Sequence, residues 1–296
     1  MIISASRRTD VPAFYSEWLV NRLRAGWCEV PNPFNRSQVS RVSLRPEDVD
    51  VIVFWTRYAR PLVPHLDEID ARGYRSYFLY TLVDYPRPIE TTTPALAVAV
   101  AAFRELSGRV GPGRVVWRYD PILLGEPAGA AFHRERFERL AGLLEGATWR
   151  VVVSVVDIYR KMRRRLRDLE AGGVRITDET GVEPAELAEL LASIAATAAA
   201  HGMTATSCSE AIDMGRYGIQ PGKCIDDRLI RELFGISVSG TKDPSQRAAC
   251  GCVTSRDIGM YDTCVFGCQY CYATSSLERA RENRRRHDPL SPSIVP

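Results

Sequence analysis

Through the first two thirds of the chain, short runs of β-branched and aromatic residues alternate with longer stretches whose apolar positions recur at helical spacing. The short runs predict strands near Ile2–Ser6, Val49–Thr56, Tyr77–Val83, Val115–Asp120, Val151–Val156 and Thr204–Cys208. The longer stretches predict helices over Tyr15–Ala25, Leu62–Arg72, Pro94–Leu106, His133–Leu144 and Pro184–His201. Alternation of this kind implies parallel strands joined by right-handed crossovers, an α/β fold. Six such units suit a partial (β/α)6 TIM-like barrel better than the full eight-unit form. Periodicity alone does not separate that barrel from a doubly wound sheet.

After Glu210 the rhythm stops. Turn formers and cysteines take over, through Gly215, Gly218, Pro221-Gly222, Gly240 and Cys250-Gly251-Cys252, interrupted by one helical stretch at Asp226–Phe234. The expected division is a partial barrel over 1–205 and a cysteine-rich, metal-organised module over 206–296 that packs on the strand ends and finishes in a charged, helix-forming tail, Glu278–His287.

The residues that follow the strands are polar: Arg7-Arg8-Thr9-Asp10, Thr56-Arg57, Asp84, Asp120, Asp157 and Ser209-Glu210. In parallel α/β architectures these ends converge on one ligand-binding face. Arg7 and Arg8 make a compact donor pair for phosphate or carboxylate, with a salt bridge to Asp120 or Asp157 as the equal structural alternative. Asp120 and Glu210 suit ribose hydroxyls or a substrate amine. Arg7, Arg8, Asp10, Asp120, Asp157 and Glu210 are therefore the candidate catalytic or substrate-holding groups. His65, His133, His201 and His287 show no ligand spacing and are given no role.

At 296 residues and with 45% hydrophobic residues, the chain can build a full core without cysteine staples. Its longest apolar stretch, Ala95 to Phe103, is about half of what a membrane span needs. The opening residues lack the apolar run of a secretory signal, so a cytoplasmic protein without a membrane partner is expected. A net charge of +3 is too mild to argue for a nucleic-acid surface. The eight cysteines change the picture, because clustered cysteines without a secretory signal point to metal or redox chemistry. Cys28 stands apart and reads as a packed hydrophobe.

Cys264, Cys268 and Cys271 have the spacing C-x3-C-x2-C, with Gly267 allowing a tight backbone path. A structural zinc takes four ligands, whereas three close thiolates suit an iron–sulfur cluster with one iron left open. Cys208, Cys224, Cys250 and Cys252 form a second set, a full complement for an auxiliary 4Fe–4S cluster or for an all-cysteine zinc. The tight Cys250-Gly251-Cys252 bite favours the cluster.

C-x3-C-x2-C with Tyr270 before the last cysteine resembles the signature of the radical S-adenosylmethionine (SAM) superfamily. Tyr270-Cys271-Tyr272-Ala273 and Arg118-Tyr119-Asp120-Pro121-Ile122 are similar to the spore-photoproduct-lyase branch. The whole chain also resembles an uncharacterised prokaryotic family with such cysteines at its C-terminus. The resemblance implies a 4Fe–4S cluster on Cys264, Cys268 and Cys271, and SAM on its open iron beside Tyr270 and Tyr272. It also implies an external one-electron reductant such as flavodoxin or ferredoxin. Two departures stand out. The motif follows the first barrel strand in most of the superfamily but lies near the C-terminus here, so the barrel is circularly permuted or a C-terminal extension returns the cluster to its mouth. No Gly-Gly-Glu stretch follows a strand.

The leading expectation is a two-cluster radical SAM enzyme that takes hydrogen from a small polar substrate, a nucleoside or nucleotide being one candidate, with sulfur insertion from the auxiliary cluster. Radical repair or modification of a nucleic-acid base is the second reading. A non-catalytic iron–sulfur or zinc protein for electron transfer or assembly is the third.

Overall fold

The computed structural model describes residues 1–35, 37–178, 184–210 and 212–296. The chain opens with β1 (Ile2–Ala5), α1 (Val11–Phe14), α2 (Ser16–Ala25) and an antiparallel hairpin of β2 (Trp27–Pro31) and β3 (Val39–Ser43). Next come β4 (Val51–Thr56), α3 (Leu66–Ala71), β5 (Ser76–Thr81), α4 (Leu96–Val110) and β6 (Val115–Ile122). They are followed by β7 (Leu124–Glu126), α5 (Ala130–Leu144), β8 (Arg150–Val155), α6 (Arg163–Ala171), β9 (Arg175–Thr177), α7 (Pro184–Ala200) and β10 (Thr204–Ser207). The last part contributes β11 (Gln220–Pro221), α8 (Asp227–Phe234), β12 (Arg256–Asp257) and α9 (Leu277–Arg285).

An eight-stranded sheet organises the fold, in the order β11-β10-β8-β6-β5-β4-β1-β12, with every neighbouring pair parallel. The α/β class and all six expected strands are present. From β1 to β11 the order follows the chain without the reversal that a doubly wound sheet contains. Crossovers of one hand along such a sheet put their helices on one face. That face holds the larger core: Ile3, Phe54, Phe78, Trp117 and Val153 pack with Trp18 of α2, Phe103 of α4, Phe137 of α5 and Leu190 of α7.

The opposite face has a different cover. Ile2, Val51, Val53, Tyr77, Leu79, Val116 and Val152 alternate with the first set along their strands. They pack against Cys224, Ile225, Leu229, Ile230, Cys250, Cys252 and Val253. Both faces are thus buried, which explains why β4 and β5 read as nearly continuous apolar runs. Leu229 and Ile230 of α8 each gain roughly 1.5–3 kcal/mol by leaving water here. Residues on both sides of the expected boundary at 205/206 share this second core, and β11 and β12 join the same sheet as β1 to β10.

Candidate functional site: two cysteine sets at the strand ends

The C-x3-C-x2-C loop lies between β12 and α9, at the edge of the sheet. Ser276 caps α9, its side chain accepting from the Arg279 N–H. Asp262 starts the loop and ties it shut: its carboxylate accepts from the backbone N–H of Ser275 at 2.5 Å and from its hydroxyl at 2.8 Å, and its N–H donates to the Ala273 carbonyl at 3.0 Å. Asn283 of α9 donates to the Asp262 carbonyl at 2.8 Å. On the other side the loop is zipped to the segment after β5. A bridge pairs Glu90 with Cys268, and the Gln269 and Thr92 N–H groups donate to Ile89 and Phe266. Gly267 has φ +68°, and a Cβ there would stand 2.0 Å from the Thr91 hydroxyl. Only glycine fits that turn.

Arg165, on α6, holds the loop from a third direction. Its Nε donates to the Gln269 carbonyl at 2.9 Å, and its two Nη groups donate to the carbonyls of Cys271 and Thr274. Burial pushes the thiols of Cys264 and Cys268 up, Cys268 to about 12 although Arg57 pulls the other way. Arg57 forms a buried ion pair with Glu90 at 2.6 Å. Tyr270, which the resemblance sets beside SAM, places its hydroxyl between these two, accepting from Arg57 and donating to Glu90. Burial works against the Arg57 charge, but Cys268 and Glu90 outweigh it, so its guanidinium is firmly cationic beside the loop. Tyr272 donates to the Arg7 carbonyl at 2.8 Å.

The second set gathers on the other buried face of the sheet. Cys208 follows β10, Cys224 follows β11, and Cys250 and Cys252 precede β12. The sulfurs of Cys208 and Cys224 are 3.1 Å apart, and the Ile225 N–H donates to the Cys252 sulfur at 3.4 Å. Shared S···S hydrogen bonds, of Cys208 with Cys224 and of Cys252 with Cys224 and Cys250, pull the thiols of Cys208 and Cys252 down and push those of Cys224 and Cys250 up. Two cations reinforce the pattern, Arg118 beside Cys208 and Arg7 beside Cys252. All eight cysteines are free thiols. Among the described residues, no group of three or more His, Cys, Asp or Glu side chains crowds about a single metal-ion position.

The charged strand ends are largely paired. Asp120 accepts from Arg118, Asp157 pairs with Arg247, and Glu210 accepts from the Val155 N–H at 3.0 Å. Arg8 stands 3.9 Å from Asp257. Asp10 caps α1 by accepting from Ala13 at 2.9 Å and takes the Arg57 N–H at 2.6 Å. Burial raises its carboxyl to about 7.

A family model described as a domain of unknown function (DUF1848) matches residues 2–273, a span that includes both cysteine sets. The chain belongs to the DUF1848 family. No curated protein and no solved structure matches it. Among the described residues of this DUF1848 protein, no helix is long and apolar enough to cross a membrane.

Sequence reasoning missed three members of the site. Arg165 was hidden in an arginine-rich stretch whose helix buries only Leu166. Glu90 follows no strand directly, and its role as partner of Arg57 and Tyr270 comes from the fold of the loop. Asp257 accepts from the hydroxyls of Ser4 and Ser6 at 2.9 and 2.7 Å and from the Arg7 N–H at 2.8 Å, holding the end of β1. Arg7 in fact leans on Ser255, at 3.2 Å, rather than on Asp120 or Asp157.

Proposed function

We propose that this DUF1848 protein is a radical SAM enzyme with two iron–sulfur clusters, built on an open, circularly permuted (β/α) barrel. One observation carries the reading: the C-x3-C-x2-C loop joins edge strand β12 to helix α9, and β12 pairs with β1. Counted from β12, the sheet runs in chain order, so the motif follows the first strand, its place in most of the superfamily. The one-faced helices and the second core filled by α8 support a sheet curling round that segment, open between β11 and β12.

The residues fit the groups this requires. Three thiols from one loop leave an iron of a 4Fe–4S cluster open, and four complete a second one. The sulfurs of the second set are hydrogen-bonded to one another, Cys208 to Cys224 at 3.1 Å, and would move apart to take one iron each. When bound, the cluster on Cys264, Cys268 and Cys271 supplies an electron that cleaves SAM to a hydrogen-abstracting 5′-deoxyadenosyl radical, and a cluster on Cys208, Cys224, Cys250 and Cys252 supplies electrons or sulfide. Arg57 offsets the negative charge that gathers at Cys268, and Arg7 and Arg118 do the same at the second set. Arg165 keeps the loop's carbonyls turned away from its thiols. The Phe14–Phe266 contact, with ring centroids 4.6 Å apart, helps to keep water from the thiols. Free thiols suit a reducing cytoplasm with flavodoxin or ferredoxin as electron source. The substrate is a small polar molecule.

The test is to reconstitute the protein anaerobically with iron and sulfide, reduce it, add SAM and follow 5′-deoxyadenosine by mass spectrometry. Product that disappears when Cys264, Cys268 and Cys271 are replaced by Ala is the expected result. Bound, reducible iron without product overturns the proposal in favour of electron transfer.

A further inference from the structure

Among the described residues, two guanidinium groups at the strand ends hold buried nitrogens that no oxygen or nitrogen accepts, Arg7 having besides only the Cys252 sulfur within hydrogen-bond reach. Arg118 lies on the same face of β6 as Val116, and its Nη2 donates to Asp120. Its Nε is buried without a hydrogen-bond partner. Arg7 gives Nη1 to Ser255 and keeps a buried, unpartnered Nη2. Both groups lie over the ring of Trp55, at 5.3 Å for Arg7 and 4.7 Å for Arg118. The ring is itself fixed, since its N–H donates to Ser4 at 3.1 Å. Beside Cys208, the Ser209 hydroxyl is also buried and unpartnered.

A buried donor left without a partner is costly, and more so when it is charged. Two such donors, on guanidiniums that share the Trp55 ring, ask for a ligand that accepts from both. The nearby carboxylates do not serve: Asp120 takes only the other end of Arg118, and Asp257 is occupied by two serines and the Arg7 backbone. Oxyanions match a guanidinium fork in shape and charge. The arginines also stand between the cysteine sets. Arg118 acts on Cys208 and Cys224 and Arg7 on Cys252, while Tyr272, next to Cys271, binds the Arg7 carbonyl.

We infer that Arg7 and Arg118, braced on Trp55, bind a terminal carboxylate or phosphate of the substrate between the three-cysteine loop and the four-cysteine set. This deepens the radical SAM reading and rests on it for the word substrate. The unpartnered nitrogens are buried, so the group is the end of a small molecule rather than an internal phosphodiester of a long nucleic acid.

The experiment is a calorimetric titration of the anaerobically reconstituted protein, without SAM, using inorganic phosphate in one arm and acetate in the other. Saturable one-to-one binding in either arm, at least tenfold weaker in Arg118→Lys and in Arg7→Gln, supports the inference. The arm that binds tells a phosphorylated substrate from a carboxylic acid. Arg118→Lys keeps the charge beside Cys208 and loses the Nε donor, so weaker binding at unchanged iron content separates ligand recognition from charge balance. No saturable binding in either arm overturns the site. So does equal affinity in both variants, or a variant that loses iron while its affinity stays unchanged. Because SAM is left out, failure of SAM cleavage and failure of anion binding are read independently.

Discussion

Replacing Arg165 by Ala removes the one side chain that grips three carbonyls of the cysteine loop, those of Gln269, Cys271 and Thr274. Hydrogen bonds to a charged group contribute roughly 1.5–3 kcal/mol each when well buried. Arg165 is half-buried, which cuts each by about half, so the three together hold the loop by roughly 2–4 kcal/mol. At about 1.4 kcal/mol per tenfold, the open form of the loop becomes roughly 30 to 1000 times more populated in Arg165→Ala. The rest of the fold keeps its cores, so the change is local. Amide exchange across residues 262–275 accelerates by that factor, and Cys264, Cys268 and Cys271 react faster with a thiol reagent. Exchange in α4 and α5 stays as it was. Arg165→Lys falls in between, because an ammonium cannot span three carbonyls as a planar fork does. A folded Arg165→Ala protein with unchanged exchange over 262–275 would refute the idea that this arginine holds the loop.

Two further substitutions test neighbouring parts of the argument. Gly267→Ala sets a Cβ against Thr91 in a left-handed conformation and costs roughly 2–3 kcal/mol, read as lower iron retention. Pairing it with Thr91→Ala removes the clash and leaves about 1–2 kcal/mol, and a double variant no better than the single one would put the cost elsewhere. His133 tests the larger core. It is buried, its Nε2–H donates to the Leu123 carbonyl at 2.6 Å, and its Nδ1 accepts from Tyr119 at 2.7 Å. Burial lowers its pKa to about 4. The unfolded chain takes up this proton near pH 6.5 and the folded chain resists it, so its contribution is complete above pH 6.5 and is lost as pH falls toward 4. The loss amounts to about 3 kcal/mol. Urea unfolding of the wild type and His133→Gln at pH 7 and pH 4.5 should show a smaller pH dependence in the variant; parallel behaviour would contradict the assignment.

The strands were legible because each is a short run rich in β-branched or aromatic residues, and β1, β4, β5 and β8 are buried on both faces, which leaves a strong signal. The helices α2, α4, α5 and α7 were legible because each turns one apolar stripe to a single core. What escaped were elements whose stabilisation lies outside their own pattern. Helix α6 buries only Leu166 and serves mainly to carry Arg165. The two-residue strands β11 and β12 are too short for any periodicity, yet they set the edges of the sheet. The C-x3-C-x2-C spacing marked the first set, and the four clustered cysteines left over made the second. Their placement could not be read, because it depends on β12 pairing with β1 across more than 250 residues of chain.

That pairing ties the two cysteine sets to one architectural fact. Chain order round the sheet would close between β11 and β12, and these two are not hydrogen-bonded to each other. Loops bridge the gap instead: the Val253 N–H, before β12, donates to the Ile225 carbonyl, after β11, at 3.1 Å. The four cysteines of the second set come from both sides of this seam, Cys208 and Cys224 from one and Cys250 and Cys252 from the other. A centre bound there would act as a cross-link between the edges, and the closer the edges are held, the more firmly β12 is docked on β1. The three-cysteine loop begins immediately after β12. Such a centre would also steady the three-cysteine loop, through a strand of two residues and the Asp257 carboxylate that locks it to Ser4, Ser6 and Arg7. The same carboxylate helps to hold Arg7 where its guanidinium shares the Trp55 ring with that of Arg118. A short edge strand thus links the seam, the loop and the oxyanion site, which is why polar groups gather there instead of the apolar residues that fill the other strands.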